Sequence, residues 1–174
     1  MVVPAKPLGK PPADRPSAAG DRLTEAIELL FFAYRDFISD PDEILAEYDF
    51  GRAHHRVVHF VSRNPGITVA ELLNILRITK QSLARVLKQL IERGFVAQET
   101  GKQDRRQRLL YLTASGRELE ERLAAPQRAR VAAALEKAGP GAEDAWRTVL
   151  LELVNDEDRT EVEHRIAKAP VEQR

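Results

Sequence analysis

The chain has 174 residues, of which 43% are hydrophobic and 31% charged, a composition typical of a globular protein with a buried core. It contains no cysteine, which excludes disulfides, thiolate zinc sites and thiol redox chemistry. The formal net charge is zero, and the absence of a long apolar run or a signal-like start predicts a cytoplasmic protein without a membrane partner.

The amino-terminal part is predicted to hold a tail and two helices. Residues 1–20 include five prolines and few bulky side chains, so we expect a disordered proline-rich tail. Asp21 is a favourable N-cap for a first amphipathic helix, which Asp40-Pro41 is expected to end, leaving an acidic linker up to residue 50. A second helix is predicted over 51–63. The apolar residues of the first helix recur every three or four positions: Leu23, Ile27, Leu30, Phe31, Tyr34 and Ile38.

Two further helices and a tight turn follow. Thr68 and Glu71 form the sequence pattern of a capping box, which predicts that a short third helix begins there. Arg77-Ile78 is expected to form a tight turn. Thr79 then caps a fourth helix, predicted over 80–93.

The hydrophobic period changes between Phe95 and Leu112. FVAQET and RLLYLT are short β-rich runs separated by a polar turn at 101–107, which predicts a hairpin. Beyond Thr113 two more helices are predicted, separated by Gly139-Pro140-Gly141. The predicted fold is therefore mainly α with a small β-wing (α+β).

Charge is strongly segregated along the chain. Residues 21–50 hold nine acidic and two basic residues, whereas residues 77–108 hold nine basic and three acidic ones. Helix, turn, helix and hairpin in that order are typical of a winged helix-turn-helix, so double-stranded DNA is the predicted partner. The fourth helix alone could instead be a solvated basic surface. Three arginines near the hairpin tip favour DNA, because a narrow minor groove attracts guanidinium groups: Arg105, Arg106 and Arg108.

A resemblance to a known family rests on this region. The run ITVAELLNILRITKQSLARVLKQLIERGFV followed by DRRQRLLYLTASG resembles the MarR family of bacterial transcription regulators, whose wing carries DxR and then LTxxG. LFFAYRDF, RAHHRV and ITKQSLARVL are similar to the PetP branch of that family. The family's wing positions fall here on Asp104, Arg106, Leu112, Thr113 and Gly116.

The resemblance implies a domain arrangement and a function. It implies a winged helix-turn-helix DNA-binding domain at 51–116, an N-terminal dimerisation helix with its acidic linker at 21–50, and C-terminal dimerisation helices at 117–174. Helices at both ends agree with pairing of two copies, because a small winged domain cannot bury all their apolar stripes. We therefore expect a nucleoid-associated homodimeric repressor that binds a palindromic operator, with half-sites about 10 bp apart centre to centre.

Individual contacts follow from the same resemblance and from charge. Arg106 is expected in the minor groove, while the start of the fourth helix reads the major groove. Asp104, which is expected to tether an arginine and shape the turn, and Gly116 have structural roles in the wing. The predicted DNA-binding residues are Thr79, Lys80, Gln81, Ser82, Arg85, Lys88, Arg105, Arg106 and Arg108.

Other function classes are less well supported. No GxSxG, HExxH, phosphate-binding glycine loop or cysteine nucleophile is present, so neither an enzyme nor a cofactor is predicted. A winged-helix protein-interaction module is the alternative, but it would not need the three wing arginines. A metal-responsive regulator is a second alternative, because His55 and His59 have i, i+4 spacing and Glu47 or Asp49 could add a ligand. Packing or hydrogen bonding of these histidines is the preferred interpretation.

The resemblance also implies a cleft for a small aromatic or anionic effector, between the dimerisation helices and the winged domain. An arginine there, Arg35 or Arg56, would pair with a carboxylate. Alternatively, Arg35 pairs with the acids around it. The candidate cleft residues are Phe31, Tyr34, Arg35, His54, His55 and Arg56.

Overall fold

The structure, a computed structural model, describes residues 18–101 and 104–167, which form helices and one small antiparallel sheet. This confirms the predicted class. Contacts divide the chain into two units, residues 1–36 and residues 37–174. The elements are α1 (Ala18–Ala46), α2 (Arg52–Arg63), β1 (Ile67–Thr68), α3 (Val69–Leu76), α4 (Lys80–Glu92), β2 (Val96–Thr100), β3 (Arg108–Leu112), α5 (Ala114–Ala138), α6 (Ala142–Glu152) and α7 (Asp156–Ala167).

The first unit contains the amino-terminal part of α1. This helix begins at Ala18, so Asp21 lies in its first turn and the prediction that Asp21 is the N-cap is wrong. Residues 18–20, predicted as the end of the tail, belong to α1, and the rest of that prediction, residues 1–17, lies outside the described part of the chain. Most of the apolar stripe predicted for this helix is exposed, and its exposed members include Leu23, Ile27, Leu30, Phe31 and Tyr34.

Pro41 does not end α1, contrary to the prediction. A proline inside a helix cannot donate to the carbonyl four residues earlier, which here belongs to Phe37. Gln127 of α5 supplies the missing donor, with its Nε2 3.3 Å from the Phe37 oxygen. Pro41 itself is fully buried, and Leu45, one turn on, is 1% exposed in the core. Tertiary contacts thus carry the helix to Ala46, which shortens the expected acidic linker.

The sheet has three strands in the order β1-β3-β2, one more than the predicted hairpin. β2 and β3 pair from Val96 opposite Leu112 to Thr100 opposite Arg108. The additional strand β1 is only two residues long and pairs Ile67 with Leu110. A strand so short has no readable alternation, so sequence patterning could not reveal it.

The core of the second unit lies between α2, α3, α4, the sheet and the start of α5. Each helix contributes the apolar stripe that its sequence predicts, and β3 contributes two inward-facing leucines. Helices α3 and α4 and the hairpin of β2 and β3 are therefore fixed to one continuous core. Its most deeply buried members include Val57, Val58, Val61, Leu72, Leu83, Leu90, Leu110, Leu119 and Leu123.

Between Ala114 and Ala167 the described chain forms three helices, whereas two were predicted. The predicted last helix is interrupted after Glu152, and α7 begins at Asp156. The backbone amides of Asp158 and Arg159 donate to the carbonyl of Asn155 at 2.9 and 3.1 Å, which starts the new helix. Asn155 followed by three acidic residues is a readable helix start that the apolar spacing concealed.

Candidate nucleic-acid interface

The helix-turn-helix is held by the predicted caps. The Thr68 hydroxyl accepts a hydrogen bond from the Glu71 amide at 3.2 Å, and the Glu71 carboxylate accepts from the Thr68 amide at 2.8 Å. At the other end of α3, Arg77 adopts a left-handed conformation with φ of 50°, which forms the predicted tight turn. The Thr79 hydroxyl then accepts from the Ser82 amide at 3.1 Å and starts α4. These local contacts fix the angle at which α4 leaves the turn.

The predicted recognition helix keeps one face in the core and leaves the other exposed. Leu83, Val86, Leu87 and Leu90 are buried. Ser82 is half-buried, and Lys88 Nζ lies 3.7 Å from Glu92 one turn on. The exposed side chains on the amino-terminal half are mostly long donors with a small alanine between them, as close approach to base edges requires: Thr79, Lys80, Gln81, Ala84 and Arg85.

The wing turn is shaped by Asp104, whose Oδ1 accepts a hydrogen bond from the backbone amide of Arg106 at 2.9 Å. The acid therefore organises the turn through the backbone. Arg105 and Arg106 lie exposed in this turn. Arg108 lies in β3, where its Nη1 donates to Thr100 Oγ1 of the facing strand at 2.6 Å. The three wing arginines thus divide into two in the turn and one in the strand pair directly next to it.

Thr113 and Gly116 attach the wing to α5. Thr113 caps α5 by accepting from the Gly116 amide at 3.0 Å, and its hydroxyl lies 2.6 Å from the Gly94 carbonyl oxygen. A β-carbon added at Gly116 would lie 2.0 Å from the carbonyl oxygen of Phe95, so only glycine fits. This contact explains why threonine and glycine stand three residues apart after the wing.

The recognition helix and the wing border one open depression. It has a volume of about 530 Å³ and is lined by Val69 and Leu73 of α3, Lys80 and Ala84 of α4, and Arg106 and Arg108 of the wing, among others. Three basic residues from α4 and the wing therefore line one common concavity. Of the nine residues that the sequence analysis assigned to DNA, this depression is lined by Lys80, Arg106 and Arg108.

Some cations of the basic segment have partners elsewhere in the protein. Arg93 donates from Nη1 to the carbonyl oxygen of Tyr48, and its guanidinium lies 4.7 Å from the centre of the Phe50 ring. Arg77 pairs with Asp158 of α7. Counting charge along the chain could not separate these residues from Lys80 and Arg85, because their partners lie far away in sequence.

The histidines form contacts within the protein. His54 is buried; its Nδ1 accepts from the Gly51 amide at 3.0 Å, so its Nε2 carries the proton and donates to Gln89 at 2.8 Å. His59 Nδ1 lies 3.7 Å from Glu120. Burial, and next the neighbouring His59, lowers the pKa of His55.

The described residues include no group of three or more His, Asp or Glu side chains arranged to hold a metal. Glu47, suggested as a third ligand beside His55 and His59, instead pairs with Arg122 at 2.7 Å.

The candidate effector residues fall in both units. In the first unit, Phe31 and Tyr34 are exposed, and Arg35 Nε donates to Asp36 at 2.8 Å, which raises the Arg35 pKa. This pair is of the kind expected if Arg35 pairs with a nearby acid. In the second unit, Arg56 donates from Nη2 to the Leu76 carbonyl at 3.0 Å. Both guanidinium groups proposed for a carboxylate thus have protein partners.

Comparisons with known proteins agree with this geometry. The model of the MarR family matches residues 48–107, which include α2, the helix-turn-helix and the wing turn. No helix within 18–101 and 104–167 combines the length and the apolar character that a membrane span requires.

A relative from Rhodobacter capsulatus, the HTH-type transcriptional regulator PetP, is 50% identical over 130 residues, covering 75% of this chain and 78% of the relative. Streptococcus pneumoniae FabT, solved in complex with DNA, superposes with a TM-score of 0.65 at 18% identity, covering 76% of this chain and 93% of FabT. A MarR family regulator from Silicibacter pomeroyi gives a TM-score of 0.62 at 22% identity, covering 74% and 86%. The chain belongs to the MarR family of transcription regulators, which are DNA-binding proteins without enzymatic activity, and resembles PetP within it.

Proposed function

We propose that the protein is a homodimeric repressor that binds a palindromic operator and blocks promoter access. The observation that carries this proposal is the common concavity bordered by Lys80 of α4 and Arg106 and Arg108 of the wing. The exposed start of α4 reads bases in the major groove, while Arg106 enters the adjacent minor groove, where phosphates on both walls concentrate negative potential. Asp104 fixes the backbone of the wing turn at Arg106.

The dimer is supported by apolar side chains that each unit leaves uncovered. In the first unit Phe31 is 69% exposed on the stripe of α1. In the second unit Trp146 and Val149 are 44% and 58% exposed on α6. Apolar patches of this kind mark protein interfaces in soluble proteins, and a second copy of the chain would offer matching surfaces to both. Two-fold pairing would give two recognition helices and hence a palindromic site.

Binding to chromosomal DNA requires the protein to act in the cytoplasm, at the nucleoid. An effector between the dimerisation helices and the winged domain stays a prediction. Its carboxylate would have to compete with Asp36 for Arg35 or with the Leu76 carbonyl for Arg56.

Selection of bound genomic fragments, followed by fluorescence anisotropy on the selected duplex, tests the proposal. Arg106→Ala should weaken binding about tenfold or more and blur the preference for narrow A·T flanks. Arg128→Ala is the matched control, because Arg128 is an exposed α5 residue paired with Glu121. Unchanged affinity and flank preference for Arg106→Ala would contradict the minor-groove role of Arg106. If the selection enriches no genomic fragment over random DNA, the result would favour the protein-interaction alternative.

A further inference from the structure

Helix α7 is joined to α3 by two polar side-chain contacts. Asp158 accepts from the guanidinium of Arg77, and Glu161 Oε1 accepts from Asn74 Nδ2 at 3.3 Å. Residues three apart share one side of a helix, so these contacts join one face of α3 to one face of α7. The later residue on α3 meets the earlier one on α7, and the two helices are therefore antiparallel along this contact.

Arg77 occupies an unusual backbone position at the entrance to the recognition helix. It is the C-cap of α3 with φ of 50°, a left-handed conformation that glycine adopts at much lower cost. It stands two residues before Thr79, which caps α4. An arginine that keeps a conformation better suited to glycine points to a role for its side chain. That side chain is 59% exposed, and it extends from the turn that leads into the candidate DNA-binding face.

We propose that Arg77 is a further phosphate-contacting residue and that Asp158 holds it in the free protein. The inference rests on the proposed DNA-binding function. A phosphodiester and a carboxylate offer the same paired oxygen acceptors, so both compete for one guanidinium. The Arg77 side chain is 59% exposed and that of Asp158 is 24% exposed. The guanidinium therefore remains accessible to solvent, and ion pairs with an exposed partner contribute little, so a phosphate can compete with Asp158 for it. The carboxylate of α7 thereby lowers operator affinity and reduces the number of phosphates that the protein neutralises.

A purely structural role for the pair predicts the opposite result. If Asp158 only anchored α7, removal of its charge would loosen the contact and leave operator affinity unchanged or lower. If Asp158 competes with DNA, the same removal frees Arg77 and raises the affinity. The sign of the change therefore separates the two roles.

The test uses the full chain and a labelled duplex from the genomic selection, with anisotropy measured over a series of KCl concentrations. Asp158→Asn should tighten binding about threefold to tenfold and steepen the plot of log K against log salt by about 0.9 for each subunit, the value for one more neutralised phosphate. Glu163→Gln makes the same charge change at an exposed site on α7 and should alter affinity by less than about twofold.

A double variant identifies the route of the effect. Arg77→Gln with Asp158→Asn should bind no more tightly than Arg77→Gln alone, because no guanidinium remains to be released. Affinity of Asp158→Asn equal to or below that of the unmodified protein would overturn the inference. A gain that persists without Arg77 would overturn it as well, because it would report general repulsion between α7 and DNA. Failure of the unmodified chain to bind any selected duplex would overturn the DNA-binding proposal and this inference together.

Discussion

Gly116→Ala should destabilise the winged domain strongly, because of one backbone contact. The new β-carbon would lie 2.0 Å from the Phe95 carbonyl oxygen, 3.0 Å from its carbon and 3.3 Å from the Leu112 β-carbon. Ordinary carbon–oxygen contacts are more than 3 Å, so the backbone must shift by over about 1 Å. The Phe95 oxygen also accepts from the Thr113 amide at 3.1 Å, and the shift would strain that hydrogen bond.

The size of the effect follows from the rigidity of the obstacle. Overpacking against side chains that can move lowers the free energy of unfolding by about 1–3 kcal/mol. The Phe95 carbonyl belongs to the backbone and moves less easily, so we expect Gly116→Ala to cost about 3 kcal/mol or more. For a chain of this length that cost corresponds to a fall in Tm of about 6–12 °C. Calorimetry at constant protein concentration measures the change. Gly51→Ala is the matched control, because no atom lies within 4 Å of its new β-carbon, and we expect a loss below about 1 kcal/mol there. A fall in Tm below about 2 °C for Gly116→Ala would refute the reasoning.

Three further predictions concern the cap of α3, a half-buried histidine and the dimer. Thr68→Ala removes an N-cap and should lower the free energy of unfolding, measured in urea, by about 1 kcal/mol. A decrease of less than a few tenths of a kcal/mol would contradict the capping role of Thr68. Because burial lowers the pKa of His55, the folded state favours its neutral form, so stability should fall as pH drops below the ordinary value of 6.5 and level off below the folded pKa. His55→Gln should flatten this part of the plot of unfolding free energy against pH. An unaltered plot would show that His55 does not cause the pH dependence. Trp146→Asp should convert the dimer to monomers in analytical ultracentrifugation, and a dimer of undiminished affinity would remove α6 from the interface.

Local signals in the sequence were sufficient to predict the helix-turn-helix and the wing. Thr68 with Glu71, and Thr79, act within four residues of their own position, so each cap could be recognised without knowledge of the fold. The same is true of the apolar stripe of α4, whose burial follows its spacing. These elements carry the residues assigned to DNA.

Features that depend on distant partners could not be predicted in the same way. Helix α1 continues through Pro41 because Gln127, 90 residues after Phe37, satisfies the carbonyl that the proline leaves open. His54 is fixed by Gln89, 35 residues away. In the sequence Arg77 is one of nine cations of the basic segment, and its partner Asp158 lies 81 residues further along the chain. In each case the sequence shows the residue type, while the partner comes from tertiary packing.

Salt dependence of operator binding tests the central claim most directly, because it measures how many phosphates the basic face neutralises. With about four phosphates for each subunit, or about eight for a dimer, log K against log salt should have a slope near −7. The measurement is an anisotropy titration of the unmodified protein on its selected duplex at KCl concentrations from about 50 to about 200 mM. A slope near −7 with specific binding is the result that the account predicts. A slope near zero would mean that the arginines of the wing and the cations of α4 do not face DNA, and it would contradict the account.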